Sequence, residues 1–350
     1  MKTIEIELAN HPFLKGMDPA HLAILARHAR VATFTTNEVV FRQGEYAHHF
    51  HLLLEGEVAV ESYMARADDL PLQTVKAPGL LGWSWLFPPF VWHFQARALK
   101  PTMSIVVDGA SLLVACEEVH GFGFQLMQRI AEVVVGRMEA AQGLLLEIEK
   151  SVPALPAVDE PRRFQATPHS VSSLKVMVAE HPFLKGMKAE HLEILADLAM
   201  KASFDPNQVI FHAGDPANRF YLIQHGRVAL ESQGKDADSE QFQILSDGDV
   251  VGWSWMFPPY YSHFQARSLE PTEGIFLYGT RLREECQKDP ELGYQLMKRT
   301  VGVVIQRLQA TRKRLVEIAA LKSESETTGR QGTSDSPGNG RRVAVREELV

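Results

Sequence analysis

One stretch of the sequence occurs twice, and this repeat limits the folds open to the chain. Gly82 to Pro89 returns almost unchanged as Gly252 to Pro259, 170 residues later. The same offset relates His11–Met17 to His181–Met187. A period of this length is far too long for one unit of a solenoid. The sequence therefore predicts two copies of one domain.

The charge and cysteine content exclude several classes of protein. The 350 residues carry 36 Lys and Arg against 43 Asp and Glu, a formal net charge of −7, whereas proteins that coat nucleic acid need an excess of basic side chains. Cys116 and Cys286 are the two cysteines, one in each copy, and we expect both to be reduced and buried. No signal-peptide pattern opens the sequence, and no apolar run reaches about 18 residues. We therefore expect a cytoplasmic protein without a membrane span.

Each copy passes from a helical segment to short apolar strands divided by glycine turns, and then to a long amphipathic helix. This order predicts a mainly β fold with flanking helices, namely two tandem antiparallel β-roll or jelly-roll domains, each followed by a long helix. We place the first domain at 1–150 with its long helix at about 123–149, a proline-containing linker at 151–173, the second domain at 174–321 with its long helix at about 290–320, and a disordered tail at 322–350.

Both long helices carry an apolar stripe. Met127, Ile130, Val134 and Met138 recur at steps of three and four, and a matching stripe starts at Met297. Such a stripe would be exposed on an isolated domain. We expect the two helices to pair, either as a pseudo-dimer within one chain or as a homodimer between two chains.

Two segments of each copy carry a resemblance to a known family. They are Phe41–Glu45 with Phe50–Val58 in the first copy, and Phe211–Ala217 with Phe220–Val228 in the second. Together with the order of elements, they resemble the cyclic-nucleotide-binding domain of catabolite-activator (Crp/Fnr) type regulators and of protein kinase A regulatory subunits. The likeness covers residues 11–149 and 181–319. It implies a non-enzymatic regulatory or sensor protein whose ligand is a cyclic nucleotide (cAMP or cGMP) or another small anion.

The chain departs from that family at its phosphate cassette. In the family a Glu takes the ribose hydroxyl and an Arg neutralises the cyclic phosphate. Trp83 stands at the Glu position and Trp92 at the Arg position, and the second copy has Trp253 and Ser262 there. Each missing charge-assisted hydrogen bond is worth about 1.5–3 kcal/mol. We therefore expect cAMP binding to be altered or lost.

The cassette and the strand after it supply the candidate ligand-pocket residues. A histidine at position 93 can meet an anion or bond a neighbouring carbonyl, and the tryptophans can form an aromatic box or fill the pocket. Strand alternation places His93, Gln95 and Arg97 on one face. The candidates are Gly82, Trp83, Ser84, Trp85, Trp92, His93 and Gln95 in the first copy, and Gly252, Trp253, Ser254, Trp255, Ser262, His263 and Gln265 in the second.

Three functions compete at this point. The leading hypothesis is a regulator that signals through its paired long helices. The alternative is a ligand-free scaffold with tryptophan-filled pockets that binds a protein partner. A cAMP-responsive transcriptional regulator ranks lower, because no helix-turn-helix, and hence no DNA-binding domain, follows either long helix.

The sequence indicates no catalytic group and no metal site. His48, His49 and His51 are interpreted as surface histidines, since no third ligand accompanies a pair of them on one strand face. The basic run Arg312-Lys313-Arg314 is interpreted as a solvated helix face.

Overall fold

The computed structural model describes residues 2–62, 70–149, 173–233 and 239–330. Residues 151–172 of the predicted linker and 331–350 of the predicted tail lie outside the described residues. So do residues 63–69 and 234–238.

The first copy folds into a roll of eight antiparallel strands. Their bounds are β1 Ala29–Phe34, β2 Val39–Phe41, β3 His49–Glu55, β4 Glu57–Ser62, β5 Leu70–Lys76, β6 Leu80–Leu81, β7 Gln95–Ala98 and β8 Thr102–Asp108. They form two four-stranded sheets, with strand orders β1-β8-β3-β6 and β2-β7-β4-β5. The interior between the sheets is apolar, because alternate residues of each strand face it. Its buried residues are Leu53, Val58, Val60, Val75, Leu81 and Ala96.

Four helices belong to the first copy: α1 Lys2–Asn10, α2 Pro19–Arg27, α3 Gly109–Glu118 and α4 His120–Glu149. Asp18 caps α2 by accepting a hydrogen bond from the backbone N of Ala20 at 2.8 Å, and Pro19 occupies the first helical position. Helix α4 begins three residues before the predicted start at Gly123. Helix α1 was not predicted.

The second copy repeats this arrangement. Its elements are α5 Leu174–Glu180, α6 Ala189–Leu198, β9 Ala199–Phe204, β10 Val209–Phe211, β11 Arg219–His225, β12 Val228–Gln233, β13 Ser239–Leu245, β14 Val250–Val251, β15 Gln265–Ser268, β16 Thr272–Tyr278, α7 Gly279–Lys288 and α8 Pro290–Arg330. The two sheets have strand orders β14-β11-β16-β9 and β10-β15-β12-β13. Asp289 caps α8 through the backbone N of Glu291 and Leu292 at 2.9 and 3.2 Å. The predicted fold class, two tandem antiparallel β-rolls with long C-terminal helices, is confirmed.

Helix α8 differs from the prediction in length and in what it folds with. It continues to Arg330, past the predicted limit near Leu321, through Lys, Glu and Ser residues that a helix accommodates. By contact, residues 1–141 and the segment from residue 304 onward form one compact unit, and residues 142–303 form the other. The later part of α8 therefore completes the unit that contains the first roll. Among the described residues, no helix is both long and apolar enough to cross a bilayer.

Candidate functional site

The repeated cassette begins at Gly82, a position where any side chain would be strained. Gly82 follows β6 and has φ of +84°, in the left-handed region. A Cβ on Gly82 would lie 2.7 Å from the carbonyl oxygen of His49 and 3.0 Å from Cη2 of Trp92. Both neighbours therefore sit directly against the Gly82 backbone. A short 3-10 helix, Ser84–Leu86, continues the cassette.

Trp92 is the side chain that covers this glycine. It is only 4% exposed, and its ring stacks on Phe41 with centroids 4.0 Å apart and planes 17° from parallel. The backbone of Trp92 is held on both sides, since its N donates to Glu45 O at 2.8 Å and its O accepts from Gly44 N at 2.8 Å. The indole is thus a fixed part of the wall beside Gly82.

The other two tryptophans of the first cassette are also buried. Trp85 packs edge-on against Phe50, with centroids 6.3 Å apart, and against the backbone of Gly109 at the start of α3. Its indole N–H has no hydrogen-bond partner among the described residues. Trp83 lies beneath the guanidinium of Arg137 from α4, whose Cζ is 4.6 Å from the ring centroid. Trp85 therefore packs the cassette against helix α3, and Trp83 packs it against helix α4.

His93 lies against α8. Its Nδ1 accepts a hydrogen bond from Gln309 Nε2 at 3.1 Å. Burial lowers the pKa of His93, and a hydrogen bond to the Val91 backbone opposes this shift only in part. The imidazole is therefore neutral at pH 7. A neutral ring offers an anion much less than the arginine that it would have to replace.

Gln95 does not line the interior of the roll. Its Nε2 donates to Glu61 Oε2 at 3.0 Å, and the Nε of Arg97 donates to the same oxygen at 3.1 Å. Gln95 and Arg97 do share a face, as alternation predicts, but Ala96 between them is the residue that joins the apolar interior. Gln95 thus belongs to a polar cluster on the opposite face of β7.

The second cassette repeats this arrangement with one difference in packing. Gly252 has φ of +83°, and Trp253 to Met256 form a short 3-10 helix in which Trp253, Ser254 and Trp255 are buried. Ser262 stands where the first copy has Trp92, and a Cβ on Gly252 would lie 3.5 Å from Cε1 of Phe211. The cassette glycine thus has Phe211 as its side-chain neighbour, where the first copy has the stacked indole.

His263 and Gln265 follow that serine, and Gln265 is the first residue of β15. The ring of His263 stacks on Trp253, with centroids 5.8 Å apart and planes 22° from parallel. Gln265 donates to Glu231 Oε2 at 2.6 Å, and its Oε1 lies 2.7 Å from Nδ1 of His212. Gln265 therefore repeats the polar cluster of Gln95, whereas His263 contacts the cassette itself.

One of the presumed surface histidines is inside the roll, so that interpretation was wrong. His51 is 4% exposed and lies between the rings of Phe34 and Phe41, with centroids 6.2 and 6.0 Å away. Its Nδ1 has no hydrogen-bond partner among the described residues, and burial lowers the pKa to about 3. His51 precedes three leucines of β3, and the sequence pattern alone does not separate the two faces of such a strand. In the part of the chain that the structure describes, no three His, Cys, Asp or Glu side chains form a metal-binding group.

Comparison with known proteins shows which family this chain belongs to. The sequence profile of the cyclic nucleotide-binding domain matches residues 31–118 and 201–289, together just over half of the chain. The chain belongs to the cyclic nucleotide-binding domain family. Each match covers the cassette and the strands on both sides of it.

Relatives within the cyclic nucleotide-binding family are distant. A CRP-like cAMP-activated global transcriptional regulator of Mycobacterium tuberculosis is 21% identical over 142 residues, which cover 41% of this chain and 62% of that protein. The chain thus spans less than two thirds of the length of this relative. A cyclic nucleotide-binding domain from Methylobacillus flagellatus is 16% identical over 41% of this chain and 82% of its own, with a TM-score of 0.36. The regulatory domain of Toxoplasma gondii PKA with cAMP is 11% identical over 81% of this chain and 90% of its own, with a TM-score of 0.30.

The side chains that α4 and α8 bring to the first cyclic nucleotide-binding domain were not predicted from the sequence. Arg312, interpreted as part of a solvated face, is 6% exposed, and its NH2 donates to Gln73 Oε1 at 2.6 Å. Its guanidinium lies over Phe94, with Cζ 5.5 Å from the ring centroid. The neighbouring Lys313 is exposed as predicted. The one signal in the sequence is that Arg312 is one residue from Thr311, which is on the apolar stripe of α8.

Proposed function

We propose that this protein is a non-enzymatic regulator built from two cyclic nucleotide-binding domains, and that the first domain works without a cyclic nucleotide at the family's phosphate position. The observation that carries this proposal is the position of Trp92. The indole stands where the family has its phosphate arginine, and it packs on both Phe41 and the cassette glycine.

Sterics and charge both support an unoccupied phosphate position in the first domain. A cyclic phosphate needs the backbone beside Gly82 to be open, and the ring of Trp92 lies against it. It also needs a cation, and His93 is held neutral by burial. Losing both polar anchors corresponds to roughly a hundredfold to ten-thousandfold in affinity.

The long helices are the part of the molecule suited to transmit a signal. The later part of α8 folds with the first roll, where Gln309 contacts His93 and Arg312 contacts Gln73. His93 follows directly after Trp92. A change in the cassette of the first domain would therefore reach α8 through one hydrogen bond. These contacts connect α8 to the first roll of the same chain.

The second domain supports a different candidate function, which is nucleotide sensing by one domain only. Ser262 is smaller than Trp92 and carries a hydroxyl, and His263 stacks on the cassette at Trp253. A ligand with a flat ring and an anionic group would find a stacking surface and polar side chains there.

Calorimetric titration of the full chain with cAMP and with cGMP separates these functions. We expect no binding to the first domain, so the stoichiometry is at most one nucleotide per chain. Ser262→Trp copies the first cassette into the second and serves as the matched variant. No binding by either protein supports the ligand-free regulator. One site that Ser262→Trp abolishes supports sensing by the second domain.

The proposal would be refuted by two bound nucleotides per chain. It would also be refuted by one bound nucleotide that persists in Ser262→Trp, because that nucleotide would then occupy the first domain. Light scattering of the same samples measures the mass in solution. A dimer that dissociates when apolar residues of α8 are replaced would indicate that the helices pair between chains.

A further inference from the structure

A cavity of about 230 Å³ lies against helix α4 in the first unit. Its walls come from the segment after α1, from the turn between β5 and β6, and from α4 itself. Most of the lining is apolar, and this part consists of Pro12, Phe13, Pro78, Leu80 and Val133. One water takes about 30 Å³ in the liquid, so the cavity has room for a molecule of roughly seven non-hydrogen atoms.

Arg137 of α4 lines the same cavity and is held in one orientation. Its guanidinium stacks over Trp83, with Cζ 4.6 Å from the ring centroid, and its NH2 donates to the carbonyl oxygen of Leu80 at 2.6 Å. A guanidinium carries five N–H donors. Leu80 O is the only hydrogen-bond acceptor of Arg137 among the described residues, so the other donors are open to a ligand.

Arg137 is also a half-buried cation without a carboxylate partner. It makes no ion pair with an Asp or Glu of the described residues, and both of its contacts are with neutral groups. Burial lowers the pKa of Arg137 to about 9, so the group is still charged at pH 7. Buried charges in proteins are ordinarily paired. An anion in the cavity would complete this pair.

The other charges of the lining favour a singly charged ligand. Arg129 lies about two turns before Arg137 on α4, and it donates to the carbonyl oxygens of Gln125 and Lys15 at 3.3 and 3.2 Å. Burial lowers the pKa of Arg129, and the nearby charge of Glu132 opposes that shift. Glu132 therefore offsets one of the two arginines that line the cavity. A monoanion neutralises the charge that is left, whereas a dianion would also meet Glu132.

We propose that this cavity binds a small aliphatic carboxylate, whose oxygens accept hydrogen bonds from Arg137 and whose chain packs on the apolar wall. The guanidinium presents parallel N–H donors in a fixed plane, which match the two oxygens of a carboxylate. Because Arg137 also stacks on Trp83, the bound carboxylate touches the cassette through a single side chain. This site is separate from the phosphate position that Trp92 covers.

The repeat predicts one such site per chain. The offset of 170 residues relates Arg137 to Arg307, but it relates Gly79 of the cavity wall to Asp249. An acidic residue thus stands in the second copy where the first copy has a neutral one. A negative charge at this position disfavours a carboxylate ligand.

Saturation-transfer NMR of the full chain with straight-chain carboxylates, from acetate to octanoate, tests the proposal. Each added CH₂ that is buried on the apolar wall should raise the affinity about fourfold. The increase should stop near pentanoate, whose roughly seven non-hydrogen atoms fill the cavity. Pentanamide has nearly the same shape without the charge, and it should bind at least about tenfold more weakly.

Three variants separate the arginine, the cavity and general charge. Arg137→Gln removes the cation and should weaken pentanoate binding by at least about tenfold. Val133→Phe keeps Arg137 but fills part of the cavity, and it should weaken binding as well. Arg42→Gln is the matched control, because it removes the same charge from a side chain that is 63% exposed on the same domain, and it should leave the affinity unchanged.

The indole N–H signals of the unsubstituted protein give a second test, independent of whether the variants fold. The chain has five tryptophans, and Trp83→Phe assigns the signal of Trp83. Pentanoate must shift this signal and leave that of Trp253 in the second copy in place. An unmoved Trp83 signal rejects the site.

Two results of the titrations would also overturn the proposal. The first is pentanoate affinity that Arg137→Gln leaves unchanged, because the chain would then bind at an apolar surface without the cation. The second is inorganic phosphate that binds more tightly than pentanoate, because the apolar wall would then contribute nothing. None of these outcomes depends on whether a cyclic nucleotide binds.

Discussion

Replacing Trp92 with alanine tests whether the indole is a structural wall of the first domain or a movable cover over a ligand site. The ring is 4% exposed and stacked at 4.0 Å on Phe41, so its removal leaves a cavity beside Gly82. Truncating a buried Trp to Ala costs about 3–5 kcal/mol of stability, part of which is the stacked aromatic pair. We expect a loss in that range for the first unit.

Urea unfolding followed by circular dichroism measures this loss without depending on tryptophan fluorescence. With a slope of about 2–3 kcal/mol per molar urea, the midpoint of unfolding should fall by roughly 1–2.5 M. Hydrogen exchange on β2 and β7 then assigns the loss to the first roll, where Phe41 and the cassette lie. Trp92→Phe is the control, because it keeps a ring on Phe41 and should cost less than half as much.

A loss below about 1 kcal/mol for Trp92→Ala would refute this reasoning. The indole would then contribute little packing, and the position beside Gly82 would be open to a ligand at little cost. The proposed closure of the first phosphate position would fail with it.

Two further predictions concern polar groups of the first roll. Glu61→Ala removes the acceptor shared by Gln95 and Arg97, leaves a buried amide donor unpaired, and should cost about 2–3 kcal/mol in urea unfolding; a cost below about 0.5 kcal/mol would contradict the cluster. His51 has a folded pKa of about 3, below its ordinary 6.5, so its contribution to stability is complete above pH 6.5 and is lost as the pH falls towards 3. His51→Phe should therefore flatten the pH dependence of stability between pH 6 and 4 by up to about 1.4 kcal/mol per pH unit. An unchanged slope in a pH series of urea unfolding would contradict this.

The sequence predicts those parts of the fold that depend on short local patterns of residues. Short alternating runs between glycine turns predict the strands, and Asp18-Pro19 and Asp289-Pro290 mark helix starts that the structure confirms. The repeat offset then transfers every element from one copy to the other. Boundaries follow less closely, since the alternation pattern includes His93 in the strand, whereas β7 begins at Gln95.

The sequence indicates which residues lie near the cassette, but it does not indicate which way their side chains point. The sequence brings Trp83, Trp85 and Trp92 together and leaves open whether they bind or fill. The structure buries all three. Alternate residues of β7 point to opposite faces, and the sequence does not reveal which face is the interior. In the structure Gln95 lies on the face away from the interior and contacts Glu61.

Contacts between distant segments could not be predicted at all. Arg312 is buried because Gln73 and Phe94 lie opposite it, and those residues are more than 200 positions away in sequence. A basic run next to an apolar stripe is usually solvated. Nothing local distinguishes Arg312 from Lys313.

The same distant contacts set an order of events during synthesis. Gln309 and Arg312 contact His93 and Gln73, which lie 216 and 239 positions earlier, so the first roll gains these side-chain partners only after residue 312 has been made. Loops of this length close slowly, because the entropy of closure is lost before any contact is gained. The domain made first on the ribosome is therefore the domain finished last, and until then His93 and Gln73 stay open to other partners.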